Sequence, residues 1–505
     1  MKLLNLDIAA PGVRTDFGGR VTDLRFLELE IAAWLKGKTR RQQRTAERYY
    51  EGKQDILRAK RELIDENGNP QELKFLPNNH IIDNQYAKMV DQITNFEMGQ
   101  PITFDTNMKD ENGKKYAQAL AKVFDKRTHR TLQRVTKHAV NEGISWLYVW
   151  KDADELRLSL FPASEILPFW SDADHTELDC AVHFYDVIEY DDHEKKKTVH
   201  HAEVLDTAGV HRFIWTKGGR LIPDVDTPAM PYLTVTDDSS ADALPYNWER
   251  MPLIPFKAND KEQPLLLKCK QLQDALNTIM TIFMNRTEED AYNTVIILKN
   301  YDGENVGKFR RNMLASGVVK VRTVDGADGG IDTLAIDVNP ENFELIAKLL
   351  KKAIIENCGG FDVNDERMNG NPNQMNIQSM YADIEITANG LETEFSASFE
   401  ELLWFVAMHL KQTNVGDFEN EKADVIFNRD MMVNESEVID NCQKSGGLIS
   451  NETILKNHPW IDDPQAEMER LETEQNEAAQ QNDAYRGAFE QQSPAGGVTG
   501  DGGEE

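Results

Sequence analysis

The sequence lacks the signals that mark most enzymes and anchored proteins. Its four cysteines, Cys180, Cys269, Cys358 and Cys442, are spread singly along 505 residues, so neither a disulfide framework nor a zinc knuckle is written into it. No apolar run approaches the ~20 residues of a membrane span. The opening MKLLNLDIAAPGVRTDFGG is a short mixed run broken by Asp7, too weak for a secretory signal. Together these predict a cytoplasmic chain without a membrane partner. No GxxxxGK[ST] loop is present, and Gly218-Gly219 and Gly446-Gly447 lack the lysine and spacing of a phosphate cradle, so a P-loop motor is unsupported; HExxH, GxSxG and CxxC are absent as well. Positive charge is scarce, with 56 Lys and Arg against 86 Asp and Glu and a net charge of -30. Phosphate neutralisation supplies most non-specific affinity for nucleic acid, so a whole-surface grip on it is disfavoured.

What is present describes a globular protein, 40% hydrophobic and 28% charged, too long for one core and so built of several packed units. The periodicity predicts an α+β, largely helical fold. Leu24, Leu27, Ile31, Trp34 and Leu35 open a helix over residues 21–61 whose second half is basic (Lys36, Lys38, Arg40, Arg41, Arg44, Arg48). A solvated or partner-facing surface is favoured there over a DNA contact. Further helices are expected over 77–101 and 112–140. Residues 145–235 read as β-rich, beginning with SWLYVW.

A long helix follows over 261–289, with Leu272, Leu276, Ile279 and Phe283 among apolar positions on more than one side, which implies packing on several sides. Residues 291–338 read as a small α/β insert, and a second helix runs over 340–357, from Pro340 to the Gly359-Gly360 stop. Two helices thus bracket one small unit, like a stalk carrying a tip. A turn-rich loop over 361–375 precedes a helix over 376–411, where Asn389-Gly390 predicts a kink. Acidic helical text, with Ser450 as an N-cap, ends in a tail from about residue 476 whose composition predicts disorder.

The best catalytic candidate is SDADHTELDC. Asp172, Asp174, His175 and Asp179, with His183, His193, His200 and His201 close in sequence, offer hard ligands for a divalent metal in a nucleic-acid-processing enzyme. A strand-connecting turn explains the same letters without any matched ligand spacing, and no metal or cofactor is expected. An acidic protein-binding adaptor is the other alternative.

The order of segments resembles the portal (head-to-tail connector) proteins of tailed double-stranded DNA phages, of the long-tailed siphophage type. The resemblance is carried by YYEGKQDILRAKR (49–61), LPNNHIIDNQYAKMVDQITNFEMGQP (76–101), MPLIPFKAND (251–260), GGIDTLAIDVNPENFE (329–344), the long helix after Asn376, and LISNETILKNHPWIDDPQAEMERLETE near the end. It implies a wing over 1–258, stem helices over 259–289 and 339–358, and a clip over 290–338. It also implies a tunnel loop over 359–375, a long kinked helix over 376–412, a helical crown over 413–475 and an acidic tail over 476–505.

The family's role is a homododecameric ring at one capsid vertex, a non-enzymatic channel for DNA packaging and ejection. The virion particle would be assembled in the host bacterial cytoplasm with scaffold and major capsid protein. Neighbouring subunits would cover Leu272, Leu276, Ile279 and Phe283 of the stem. Asn364, Arg367, Asn371, Asn373 and Gln374 would meet DNA on the tunnel loop. Tyr301, Lys308, Arg310, Arg311 and Asp325 of the clip would dock the terminase large subunit and later head-completion or adaptor proteins. The acidity then suits passage, since each basic contact would add grip.

Overall fold

The computed structural model describes residues 23–461, except 65–68, 73–75, 107–109, 153–154, 191–194, 226–228, 237–242, 291–294, 300–329, 335–339, 363–373 and 430–434, together with 467–468, 470–471 and 473–474. Two compact units are formed, one by Met1–Asp362 with Tyr381–Asp430, the other by Val363–Met380 with Met431–Glu505. The helices are α1 Leu24–Leu35, α2 Lys38–Tyr50, α3 Gln85–Met98, α4 Glu111–Val123, α5 Lys126–Glu142, α6 Leu266–Asp290, α7 Pro340–Cys358, α8 Gln374–Gln412, α9 Glu435–Lys444 and α10 Asn451–Lys456.

Three expected helices are split or shortened, two of them where a capping side chain starts a helix later than the apolar pattern suggests. The helix expected over 21–61 becomes α1, a break at Lys36 and Gly37, α2, and a 3-10 turn Asp55–Arg58; Asp23 starts α1 by accepting the Phe26 N–H at 2.9 Å. The helix expected over 112–140 divides at Asp125, whose carboxylate accepts the N–H groups of Arg127 and Thr128 at 3.0 and 2.8 Å and starts α5. The helix expected over 77–101 begins only at Gln85. Asn84 caps it by accepting the Ala87 N–H at 3.1 Å, and residues 77–84 carry no regular secondary structure. Side-chain caps of this kind satisfy the amides that a helix start leaves free.

The largest sheet is an antiparallel meander in the order Leu221–Pro223, Gly209–Trp215, Lys196–Asp206, Leu178–Tyr190, Ile166–Trp170, with Ala229–Met230 also pairing to Gly209–Trp215. Its alternation places Phe169, Val182, Phe184, Val204 and Phe213 on one face, and Leu27 and Ile31 of α1 close over them. Beside it, Ile144–Asp152 pairs between Leu253–Lys257 and Glu155–Phe161. Trp146, Trp170, Ile166 and Leu253 make a second core there. A third core joins Tyr116 and Leu120 of α4 to Leu403, Val406 and Leu410 of α8 and to Phe418. Gly143 ends α5 at φ 92°. A Cβ there would lie 2.3 Å from the Glu262 carbonyl oxygen, so only glycine fits where the chain approaches α6.

In the expected insert, Val295–Lys299 pairs antiparallel with Gly330–Leu334, Ile297 opposite Asp332. Residues 300–329 of the insert lie outside the described residues. In the second unit, Ser450 does cap α10, accepting the Thr453 N–H at 3.3 Å, but that helix stops at Lys456.

Candidate functional site: the paired long helices

Helices α6 and α7 run as a pair. At one end Phe283 meets Phe343 with ring centroids 5.1 Å apart. At the other Cys269 and Cys358 are buried free thiols, and the contact with Cys358 together with burial pushes the Cys269 thiol well up.

The side of α6 turned to the rest of the subunit carries a polar stripe. Gln273, Asn277, Thr281 and Asn285 stand four residues apart, all buried. Each accepts a backbone N–H from one segment: Asn285 Oδ1 from Asn79 at 2.8 Å, Thr281 Oγ1 from Ile81 at 3.0 Å, Asn277 Oδ1 from Asp83 at 3.1 Å and Gln273 Oε1 from Tyr86 at 3.0 Å. Gln273 returns a bond from Nε2 to the Asp83 carbonyl at 2.7 Å. The match is geometric. Four helical residues rise ~6 Å and two extended residues ~6.6 Å, so a stripe of period four can serve an extended strand of period two. Residues 79–83 therefore use side chains of a helix where a sheet partner would otherwise stand, and the amides of Asn79, Ile81 and Asp83 are satisfied without one.

The stripe continues into α2. Asn277 Nδ2 donates to Gln54 Oε1, Gln54 Nε2 donates to Asn84 Oδ1 at 2.8 Å, and Tyr49 OH donates to Asp274 Oδ1 at 2.5 Å. Lys270 pairs with Asp274 at 2.7 Å and Asp55 at 2.8 Å, and Arg48 with Asp55 at 2.6 Å. Desolvation would raise the Asp55 carboxyl, but the bonds from Lys270 and Arg48 prevail and hold it well below the usual carboxylate range. On the second helix Lys351 reaches Asp83 at 2.7 Å. Both long helices are thus tied to residues 79–86.

Their outward surface is different. Leu345 and Leu349 of α7 are 58% and 59% exposed, with Ile346 beside them, and α6 exposes Leu267, Ile282 and Met284. An open apolar row on α7, with single apolar side chains also bare on α6, is what a partner surface leaves uncovered.

A cleft of about 1100 Å³ lies elsewhere on the first unit, lined by Glu177, Glu249, Glu400, Glu401, Glu421 and Asp424 among others, with Trp170, Met251 and Trp404 in its walls. Burial raises the Glu401 carboxyl to about 7, against the opposing charge of Arg250.

Residues 36–481 match the family model described as phage portal protein, SPP1 Gp6-like. The chain belongs to this portal family. The portal protein of Bacillus phage SPP1 is 27% identical over 444 residues, 86% of this chain and 83% of its own length. The portal protein of Clostridium phage phiCD119 is 26% identical over 476 residues, 91% of this chain and 99% of its own. A chain solved as the neck of an empty GTA particle, computed with C6 symmetry, superposes at a TM-score of 0.40 and 12% identity, over 73% of this chain and 88% of that one. As a member of a phage portal family the chain is a structural virion component that acts as an oligomeric ring on the capsid, and it is not an enzyme.

The metal-enzyme alternative falls with that membership, and the portal structure shows what its residues do instead. Asp172 accepts the Thr176 and Glu177 N–H groups at 2.9 Å and shapes the turn. His175, in the left-handed region at φ 57°, bonds Glu262 at 2.7 Å and stacks on Trp170 at 4.9 Å. Asp179 lines the cleft. His183 lies between Glu203 and Glu165 at 3.3 and 3.5 Å, His200 bonds Asp186 at 2.5 Å, and His201 stacks on Tyr185. No group of three or more metal-binding side chains occurs among the described residues.

Of the residues expected to pack between portal subunits, Leu276 is fully buried within this chain and Phe283 is already half-buried against Phe343; Leu272 and Ile279 are half-buried. The open apolar positions are others, Leu345, Ile346 and Leu349. Asn364, Arg367, Asn371 and Asn373, and Tyr301, Lys308, Arg310, Arg311 and Asp325, lie outside the described residues, and Gln374 is the first residue of α8. At Asn389 and Gly390 the helix continues without a break. The polar stripe was missed, although Gln273, Asn277, Thr281 and Asn285 recur every fourth residue along the helix.

Proposed function

We propose that twelve copies form a ring at one vertex of a long-tailed phage capsid, with α6 and α7 side by side around a channel that passes double-stranded DNA inward during packaging and outward during ejection. The observation that carries this reading is the exposed apolar row on α7, with the bare apolar side chains of α6, which a neighbouring copy would cover. The subunit boundaries follow the expectation from sequence: wing to residue 258, stem 259–289 and 339–358, clip 290–338, tunnel loop 359–375, long helix bent near Gly390, then crown and tail. Net charge supports it too. At -30 the chain offers little to hold phosphates, and DNA driven through such a channel meets a surface of low affinity.

In this reading Asn364, Arg367, Asn371, Asn373 and Gln374 touch DNA. The terminase large subunit, then head-completion proteins, dock around Tyr301, Lys308, Arg310, Arg311 and Asp325. Assembly with scaffold and major capsid protein takes place in the host bacterial cytoplasm. Negative-stain images of the purified protein test the ring, since a holed particle is expected and a persistent monomer counts against it. Alanine or glycine at the five loop positions tests the DNA contact; unchanged packaging and DNA retention would remove that assignment.

A further inference from the structure

Rings of identical subunits close through heterologous contacts, in which one patch of each copy meets a different patch of the next. Two patches of opposite sign stand on the first unit. The positive one is the outer face of α5. Lys126, Arg130 and Arg134 follow one another every fourth residue, ~6 Å apart along the axis, with Arg127 beside them, and all four are exposed. Among the described residues none of the four has an acidic partner within ion-pair distance, whereas Lys137 on the same helix is neutralised by Asp91 at 3.1 Å. In a chain of net charge -30, four unpaired cations on one helix make a distinct basic patch.

The negative patch is the cleft of about 1100 Å³ between the 171–179 turn, residues 249–251, the 397–408 stretch of α8 and residues 418–424. Glu249, Glu400 and Asp424 are exposed there, and no described residue forms an ion pair with them.

We propose that the basic face of α5 of one copy seats on the acidic cleft of the next copy in the ring. This rests on the ring reading given above and adds to it the pairing of surfaces. Charge contacts of this kind set register and partner choice as much as affinity, and they orient identical subunits head to tail.

The test uses two full-length triple variants, R127E/R130E/R134E and E249K/E400K/D424K, with wild type, by native mass spectrometry and negative stain at low salt. All six positions are exposed, so circular dichroism and melting should match wild type. Each variant alone is expected to lose rings by about tenfold or more. Mixed in equal amounts, the reversed α5 meets the reversed cleft and the native α5 meets the native cleft, so rings should return with alternating composition and an even subunit number. A variant that assembles alone like wild type overturns the pairing, and so does a folded mixture that stays monomeric. If a triple variant misfolds, R130E and E400K with the same readouts decide the matter. A wild type without rings strikes the ring reading itself, a result distinguishable from rings that ignore these charges.

Discussion

Thr281 Oγ1 accepts the backbone N–H of Ile81 at 3.0 Å, joining residues 200 positions apart. This bond is in the middle of the polar stripe, which gives alternate amides of a segment without a strand partner the acceptors a sheet would supply. Thr281→Val keeps the shape and removes the acceptor. It should cost about 1–3 kcal/mol, the penalty of a stranded buried donor, and hydrogen exchange at the Ile81 amide should accelerate. Thr278→Val, at an exposed position that bonds only within α6, should leave that amide protected.

Glu97 is fully buried, with its ion-pair partner Arg429 Nε at 3.5 Å. Desolvation is the main cause that lifts its carboxyl to about 8; Arg429 opposes it and Glu392 adds to it. The unfolded chain releases this proton near the ordinary value of ~4.3. Stability from Glu97 is therefore complete below that value and declines as pH rises towards 8, by up to ~1.4 kcal/mol per unit. Glu97→Gln should flatten this decline, gaining on wild type at pH 8 and little at pH 4. Urea titrations at the two pH values measure it.

His183 has the same sign for a different reason. Burial works against its charge, yet the bonds to Glu165 and Glu203 prevail and raise its pKa above the ordinary histidine value. Its contribution is full below ~6.5 and fades as pH climbs through the raised value. An imidazole NMR titration should place His183 above the ordinary histidine value of ~6.5, and His183→Gln should remove that part of the stability profile.

Gly390 has open space where a Cβ would go, and it sits inside continuous helix. Gly390→Ala should stabilise the free subunit by about 0.5–1 kcal/mol. If α8 bends there in the working ring, the same change should lower DNA packaging while raising the melting temperature; equal packaging would show that no bend is needed.

Much of the fold was legible because apolar spacing is a local signal. The pair of long helices, the strand near Trp146 and the cap at Ser450 all came from patterns within a few residues. What was misread required knowledge of distant partners. Residues 77–84 carry Ile81 and Ile82 at helical spacing, but their amides are claimed by a stripe two hundred residues on, and a polar residue every fourth position has no meaning until its strand is known. The Asp172 cluster was read as a strand-connecting turn, which it is; the partner of His175, Glu262, lies too far along the chain for sequence to show. The exposed row at Leu345 and Leu349 looked like any buried apolar face, because sequence periodicity does not distinguish a face covered by its own subunit from one left for another.

The stripe between residues 79–86 and α6 also has a mechanical meaning. Its four amide bonds lie side by side between two segments that run in opposite directions, so a pull along the long helix loads all of them in shear instead of opening them one after another. A force applied at the far end of α6 is thereby passed to the platform of α2 and α3 as a load shared among the four bonds.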